Sequence, residues 1–268
     1  MSKKKKILIV IGIIILVLII ALIVSIKIIY NEPKVSVLCY HNVAKQEEIT
    51  PNSEEQKWAI TVENFEEQMK FLHDFNFKTL TLDEFYKWKK GELEVPFNSV
   101  LVTFDDGLLS NYEYAFPILE KYGINATEFI IGKKSNKETT EEWNGDLQTY
   151  MGLDLIKKTK ENYPNIEFAS HTYNMHIVGK LKKMKRDEIK KDFEEMRELK
   201  TFEYVAYPFG LYNENFIETL KEKNVKLAFV LAENRKATRE DDDFKVNRIN
   251  VSKDKPLYKF ALRFLLPY

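Results

Sequence analysis

An α/β fold built on a parallel sheet is predicted by two features of this chain. Strand-like and helix-like stretches alternate from about residue 35 onward. The strand-like stretches are also short, apolar and rich in Val, Ile and Phe, as fully buried strands are. A third feature stands apart from that fold: Ile7 to Ile26 is twenty residues without a charge.

The N-terminal run comes first. At about 1.5 Å per residue, twenty helical residues span about 30 Å, the thickness of a bilayer core. Lys3 to Lys6 form a basic cluster before it, which keeps the N-terminus in the cytoplasm and the remainder outside. No Ala-x-Ala pattern follows, which favours an uncleaved anchor. The expected organisation is a cytoplasmic stub and transmembrane helix over residues 1–30, then one extracellular domain over residues 31–268. A single-pass protein of a Gram-positive surface is the expected location.

Strands are expected at Val35–Cys39, Val100–Phe104, Thr127–Ile131, Ile166–Ala169, Tyr204–Ala206 and Leu227–Leu231. Helices are expected at Val62–Phe75, Leu82–Lys89, Tyr112–Tyr122, Asp154–Glu161, Arg186–Lys200 and Glu214–Lys223. In the first of these, Phe65, Met69, Leu72 and Phe75 share helical spacing, and His73 falls beside that stripe as a surface residue. Lys133 to Gly145 is polar and reads as a surface loop near the site. Periodicity does not separate a closed barrel from an open, doubly wound sheet.

Chemistry concentrates at the strand ends. Val100 to Phe104 runs into Asp105, Asp106 and Gly107. Two adjacent carboxylates repel, and a cation held by one of them relieves that conflict while leaving the other free as a base. The strand at Ile166 runs into His171, with His176 five residues later, in a chain of only four histidines. Five residues match neither a helix face nor a strand face, so the pair converges only if the chain turns after His171. Asp106, His171 and His176 then form a two-His, one-carboxylate set suited to zinc or another divalent transition metal.

Thr103-Phe-Asp-Asp-Gly107, Ser170-His-Thr-Tyr-Asn-Met-His176 and Tyr207-Pro-Phe-Gly210 resemble the first three motifs of the polysaccharide deacetylases, the carbohydrate esterases with a NodB-type domain. The resemblance spans roughly residues 35 to 250. It implies a distorted (β/α) barrel of fewer than eight strands. It also implies that Asp105 is the general base and that Asp106, His171 and His176 hold a divalent metal, zinc foremost, with Ni, Co, Mn or Fe as alternatives.

Two departures narrow the subgroup. The Arg that many members carry two residues before the third-motif Pro is Ala206 here, and no His follows His176 to serve as a late catalytic acid. Val35-Ser-Val-Leu-Cys-Tyr-His41 instead ends an early strand in a histidine, which resembles the circularly permuted subgroup that acts on poly-β-1,6-N-acetylglucosamine. By that resemblance His41 is the general acid. Arg248 either replaces the missing Arg by pairing with Asp105, or lies at a strand edge near substrate.

The implied activity is hydrolysis of N-acetyl groups from GlcNAc residues of an extracellular polysaccharide. The backbone N–H of Phe209 is expected to meet the oxyanion, and Tyr173, Tyr207 and Arg248 to contact the sugar. Peptidoglycan or chitin-type GlcNAc, a silent glycan-binding protein on the same fold and a small-molecule amidohydrolase are the competing readings. Forty-one basic and 41 acidic residues leave no basic excess, which argues against nucleic acid as a partner. The expected partners are the N-acetylated polymer and, through the N-terminal helix, the lipid bilayer. The one cysteine, Cys39, excludes an internal disulfide.

Overall fold

The structure, a computed structural model, describes residues 33–265 apart from 51–52, 54–55, 138, 140–141, 178 and 252–255, together with 11–12 and 14–21. The N-terminal unit ends at Pro33, and residues 11–12 and 14–21 within it are helical and exposed. Among the described residues no helix is long and apolar enough to cross a membrane. Residues 7–10, 13 and 22–26 of the expected span lie outside the described residues.

The unit from Lys34 to Leu266 is organised around parallel strands. The long strands are β1 (Ser36–Tyr40), β5 (Ser99–Asp106), β6 (Ala126–Ile130), β7 (Ile166–Ser170), β8 (Tyr204–Ala206) and β9 (Leu227–Val230). Two-residue pieces complete the set: β2 (Val43–Ala44), β3 (Ile60–Thr61), β4 (Lys78–Thr79), β10 (Val246–Asn247) and β11 (Ile249–Asn250). The main sheet runs β10-β9-β8-β7-β6-β5-β1-β11, and every pairing in it is parallel.

Both ends of that path belong to one short segment. β10 pairs with β9 and β11 pairs with β1, with only Arg248 between them. The Arg248 N–H donates to the Val230 carbonyl at 3.1 Å. The segment 246–250 therefore bridges the two sheet edges, and the sheet is a nearly closed barrel of seven positions rather than an open sheet. The expected strands end at Leu231 and include none here, because two-residue strands carry too few residues for a periodic signal.

Alternation along the strands gives each face of the sheet its own apolar side chains. Val37, Leu101, Phe129, Ala169 and Phe229 cluster inside the barrel. Leu38, Val102, Phe104, Ala126 and Phe168 cluster on the outer face under the helices. The outer helices are α1 (Val62–Asp74), α2 (Leu82–Lys89), α3 (Phe116–Lys121), the single turn α4 (Gly132–Ser135), α5 (Leu153–Asn162), α6 (Arg186–Leu199), α7 (Glu214–Glu222) and α8 (Leu257–Leu265).

Side-chain caps start several of them. Thr61 accepts from the Asn64 N–H, Thr81 forms a capping box with Glu84, and Asn213 accepts from the Phe216 N–H at 2.9 Å. The helix expected over residues 112–122 begins as a π-helical turn, Asn111–Ala115, before α3. The start of the expected polar loop at 133–145 is the turn α4. Helix α8 is one that the sequence reading missed.

Candidate active site

The C-terminal ends of β1, β5, β7, β8 and the 246–250 segment open into a cleft of about 710 Å³. Ligand sites in α/β barrels lie at this end because the loops there are free to vary. His41, Asp105, Asp106, His171, His176, Phe209 and Arg248 all line the cleft.

Asp105 continues the inward-facing row of Leu101 and Thr103 and is buried. Arg248 clamps it: Nη1 donates to Oδ1 and Nη2 to Oδ2, each at 2.7 Å. Two parallel charge-assisted bonds of this kind fix a carboxylate in position and orientation. Burial raises the Asp105 pKa, but the Arg248 guanidinium, with smaller contributions from His171 and His41, holds the carboxyl well below the usual range. Thr103 Oγ1 donates to the Leu38 carbonyl at 2.7 Å, and Cys39 Sγ lies 3.5 Å from Asp105 Oδ2. Arg248 thus takes the Asp105-pairing alternative of the sequence reading. Its complete burial makes it an anchor for Asp105 rather than a residue on the sugar surface.

Asp106 breaks the strand's alternation. Its φ is 83° and that of Gly107 is 77°, two successive left-handed residues that swing the Asp106 carboxylate toward the loop after β7. That loop turns at Thr172, whose φ is 70°. Asp192 of α6 secures the turn by accepting the N–H groups of Tyr173 at 2.8 Å and Asn174 at 2.7 Å. The loop returns His176 to within 3.2 Å of Asp106 Oδ1, while His171 Nε2 stands 3.5 Å from the same oxygen. The five-residue histidine spacing converges through this turn, and no sequence signal marked Asp192 as its support.

The polarity of the cluster suits a cation. Asp106 Oδ1 is buried without a hydrogen-bond partner. His171 Nδ1 donates to the Ala206 carbonyl at 2.9 Å, so its Nε2 lone pair faces Asp106. Burial pushes Asp106 up to about 6, helped by the Asp105 charge and opposed by His41. Burial drives His171 down to about 3 and lowers His176 as well, so both imidazoles stay neutral. One carboxylate oxygen and two imidazole nitrogens within 4.8 Å of one another form a ligand set for a divalent metal.

His41 follows β1, whose register pairs Tyr40 with Phe104 and so brings His41 beside Asp105. Its ring stacks on Trp58 with centroids 5.9 Å apart. Phe209, with φ 56°, stands over His176 at 4.3 Å between centroids. The turn at Phe209 depends on Gly210 (φ 66°), where an added Cβ would meet the Leu231 nitrogen at 2.7 Å.

Two expected sugar contacts are corrected. Tyr207 is fully buried and packs edge-on against Phe216, because β8 carries it into the core. Tyr173 is half-buried, lies outside the cleft lining and packs over Gly132. The aromatic surface in the cleft comes instead from Trp58, Tyr150 and Phe209. His73 is an exposed helix residue whose Nδ1 lies 3.1 Å from the Tyr122 carbonyl.

Residues 92–237 match the polysaccharide deacetylase family. The chain is 34% identical to the poly-β-1,6-N-acetyl-D-glucosamine N-deacetylase of Staphylococcus aureus over 251 residues, covering 85% of this chain and 82% of that one. It is 30% identical to the protein of the same description from Staphylococcus epidermidis, with coverage of 85% and 82%. Among solved structures, IcaB from Ammonifex degensii superposes with a TM-score of 0.66 at 26% identity, over 82% of this chain and 93% of that one. Deacetylase PplD from Streptococcus pyogenes has the same fold, with a TM-score of 0.71 at 21% identity over 87% and 99% of the two chains.

Proposed function

This chain belongs to the polysaccharide deacetylase family, and on that premise we propose that it removes N-acetyl groups from GlcNAc residues of poly-β-1,6-N-acetylglucosamine with the help of a divalent metal. The observation that carries this reading is the convergence of Asp106, His171 and His176 beside an Asp105 locked by Arg248. The descriptions of the relatives from the two staphylococci support the choice of glycan.

Asp106, His171 and His176 hold the metal, zinc being the ion that best suits two imidazoles and a carboxylate. When bound, the ion supplies Lewis acidity toward the acetyl carbonyl and acidifies water. Asp105 takes the proton of the attacking water. Its ionised state and fixed geometry come from Arg248, which leaves it acceptor-only and aimed into the cleft. The backbone N–H of Phe209 donates to the oxyanion. His41, across the β1–β5 register from Asp105, protonates the departing amine. Trp58, Tyr150 and Phe209 offer aromatic surface to the sugar ring.

The same reading places the domain outside the cell on a single N-terminal anchor. The uncharged run Ile7–Ile26 behind Lys3–Lys6 supports it. Deleting residues 1–30 should release the protein from the membrane fraction with full activity on short oligosaccharides. A shortened chain that no longer folds would argue against an independent anchor.

The activity test is acetate release from purified N-acetylated glycans, with metal analysis of the same sample. Release from β-1,6-linked GlcNAc oligomers should stop on chelation and return with a divalent metal. Release that survives complete metal removal, or that favours β-1,4-linked oligomers, would overturn the mechanism or the substrate respectively.

A further inference from the structure

Glu128 is a buried carboxylate on β6 that the deacetylation steps above leave unused. Its even position on the strand turns it to the outer face, toward the π-helical turn after β5. Its two oxygens hold two different parts of the site. Oε1 accepts the Gly107 N–H at 2.9 Å, and Oε2 accepts Asn111 Nδ2–H at 3.1 Å. Asn111 in turn accepts the Val43 N–H on Oδ1 at 3.3 Å, two residues beyond His41.

We infer that Glu128 is a positioning residue for the metal centre: through Gly107 it fixes the turn that aims Asp106, and through Asn111 it ties that turn to the segment carrying His41. The turn needs such a hold. Asp106 and Gly107 both leave the strand conformation, with φ of 83° and 77°. Non-glycine residues adopt such backbone only where surrounding bonds over-determine it. The Gly107 carbonyl is secured separately, by the Met151 N–H at 2.9 Å. Glu128 secures the opposite side of the same peptide plane pair. Without it, the Gly107 N–H would be a buried donor lacking an acceptor, and the carboxylate of Asp106 would lose its fixed direction.

The network also defines what glutamine would do at this position. Asn111 cannot exchange its oxygen and nitrogen without setting its amide N–H₂ against the Val43 N–H. A glutamine at position 128 has one oxygen and can serve Gly107 or Asn111, not both. Its amide N–H₂ would then face another donor. The substitution changes hydrogen bonding while leaving volume almost unchanged.

This inference rests on the metal reading above, and the experiment separates the two. Zinc affinity of the full chain is measured by competition with a chromophoric chelator, alongside kcat, KM and the melting temperature of the metal-free protein. Wild type that binds no zinc would sink the metal reading itself. Given binding by wild type, Glu128→Gln should weaken zinc by roughly 10–100-fold, as loss of a group orienting a metal ligand does. Its kcat should fall while KM stays within about two-fold. Asn111→Ala keeps the Gly107 bond and should weaken zinc by less, roughly 3–10-fold, since one arm of the strut survives. The double variant should bind no worse than Glu128→Gln alone, because both act through one network. A Glu128→Gln protein that melts lower but binds zinc within two-fold of wild type would show a merely structural role and overturn the inference. Additive losses in the double variant would do the same. If Glu128→Gln does not fold, Asn111→Ala decides: unchanged zinc affinity there refutes the coupling.

Discussion

Replacing Arg248 by Met is the sharpest perturbation of this site. The guanidinium and the Asp105 carboxylate are both buried and share two bonds at 2.7 Å. Met fills the volume but strands Asp105 as a buried charge without its partner. Removing one member of a buried pair costs about 3–5 kcal/mol, and two charge-assisted bonds at about 1.5–3 kcal/mol each bracket the same range. For a domain of this size about 2–4 °C of melting temperature accompanies each kcal/mol, so R248M should melt roughly 6–20 °C below wild type. The double variant D105N/R248M removes the stranded charge along with its partner and should recover much of that loss, although it stays inactive. Thermal melts of wild type, the two single variants and the double variant in metal-free buffer make the cycle. Activity adds a second readout. Arg248 is the largest of the charges that hold Asp105 below the usual carboxylate range against burial. Without it burial raises the pKa, a proton occupies the base at higher pH, and the acidic limb of kcat/KM moves upward. An R248M protein that melts within about 2 °C of wild type, well under the shift expected for a buried pair, would refute the reasoning. So would a double variant no more stable than R248M.

Other outcomes follow from the same geometry. In the metal-free protein burial pushes Asp106 up to about 6, drives His171 down to about 3 and lowers His176, so below pH 6 a metal must displace the Asp106 proton. Zinc affinity measured across pH 5–7.5 should rise by at least about tenfold per unit up to about 6 and then level off; an affinity flat across pH 5–6 would show that Asp106 does not carry a proton there. His171→Ala and His176→Ala should each abolish metal retention, checked by elemental analysis after desalting. Asp105→Asn should keep the metal and lose roughly 10²–10⁴ in kcat, whereas loss of the metal would exchange the roles of Asp105 and Asp106. His41→Ala should keep the metal, lose most activity on acetamides and lose much less on an activated acetyl ester, whose leaving group departs unprotonated. Equal losses on both substrates would assign His41 a structural role.

The parts of this site that are local in sequence were legible in it. Asp105, Asp106 and Gly107 announce themselves as polar residues closing an apolar strand, and six of the expected strands match the long strands of the barrel to within two residues at either end. His171 and His176 were legible as a pair, but not the means of their convergence. Asp192 makes the turn, and it lies on a helix that otherwise reads as an ordinary charged face. Tyr207 misled for a related reason. An aromatic beside a turn motif looks like a groove residue, yet the short strand β8 buries it completely.

Local sequence carries the alternation of strands and helices, the strand ends that bear Asp105, Asp106, His41 and His171, and the balance of charge. Each of these follows from a periodicity or a composition contained within a few neighbouring residues. The closure of the sheet, the clamp of Arg248 on Asp105 across 143 residues of chain and the bond from Gly107 to Glu128 arise only once the strands assemble. Those contacts depend on which strands lie side by side and in what register. In a parallel sheet the connecting helices and loops set that register, so no local pattern encodes it.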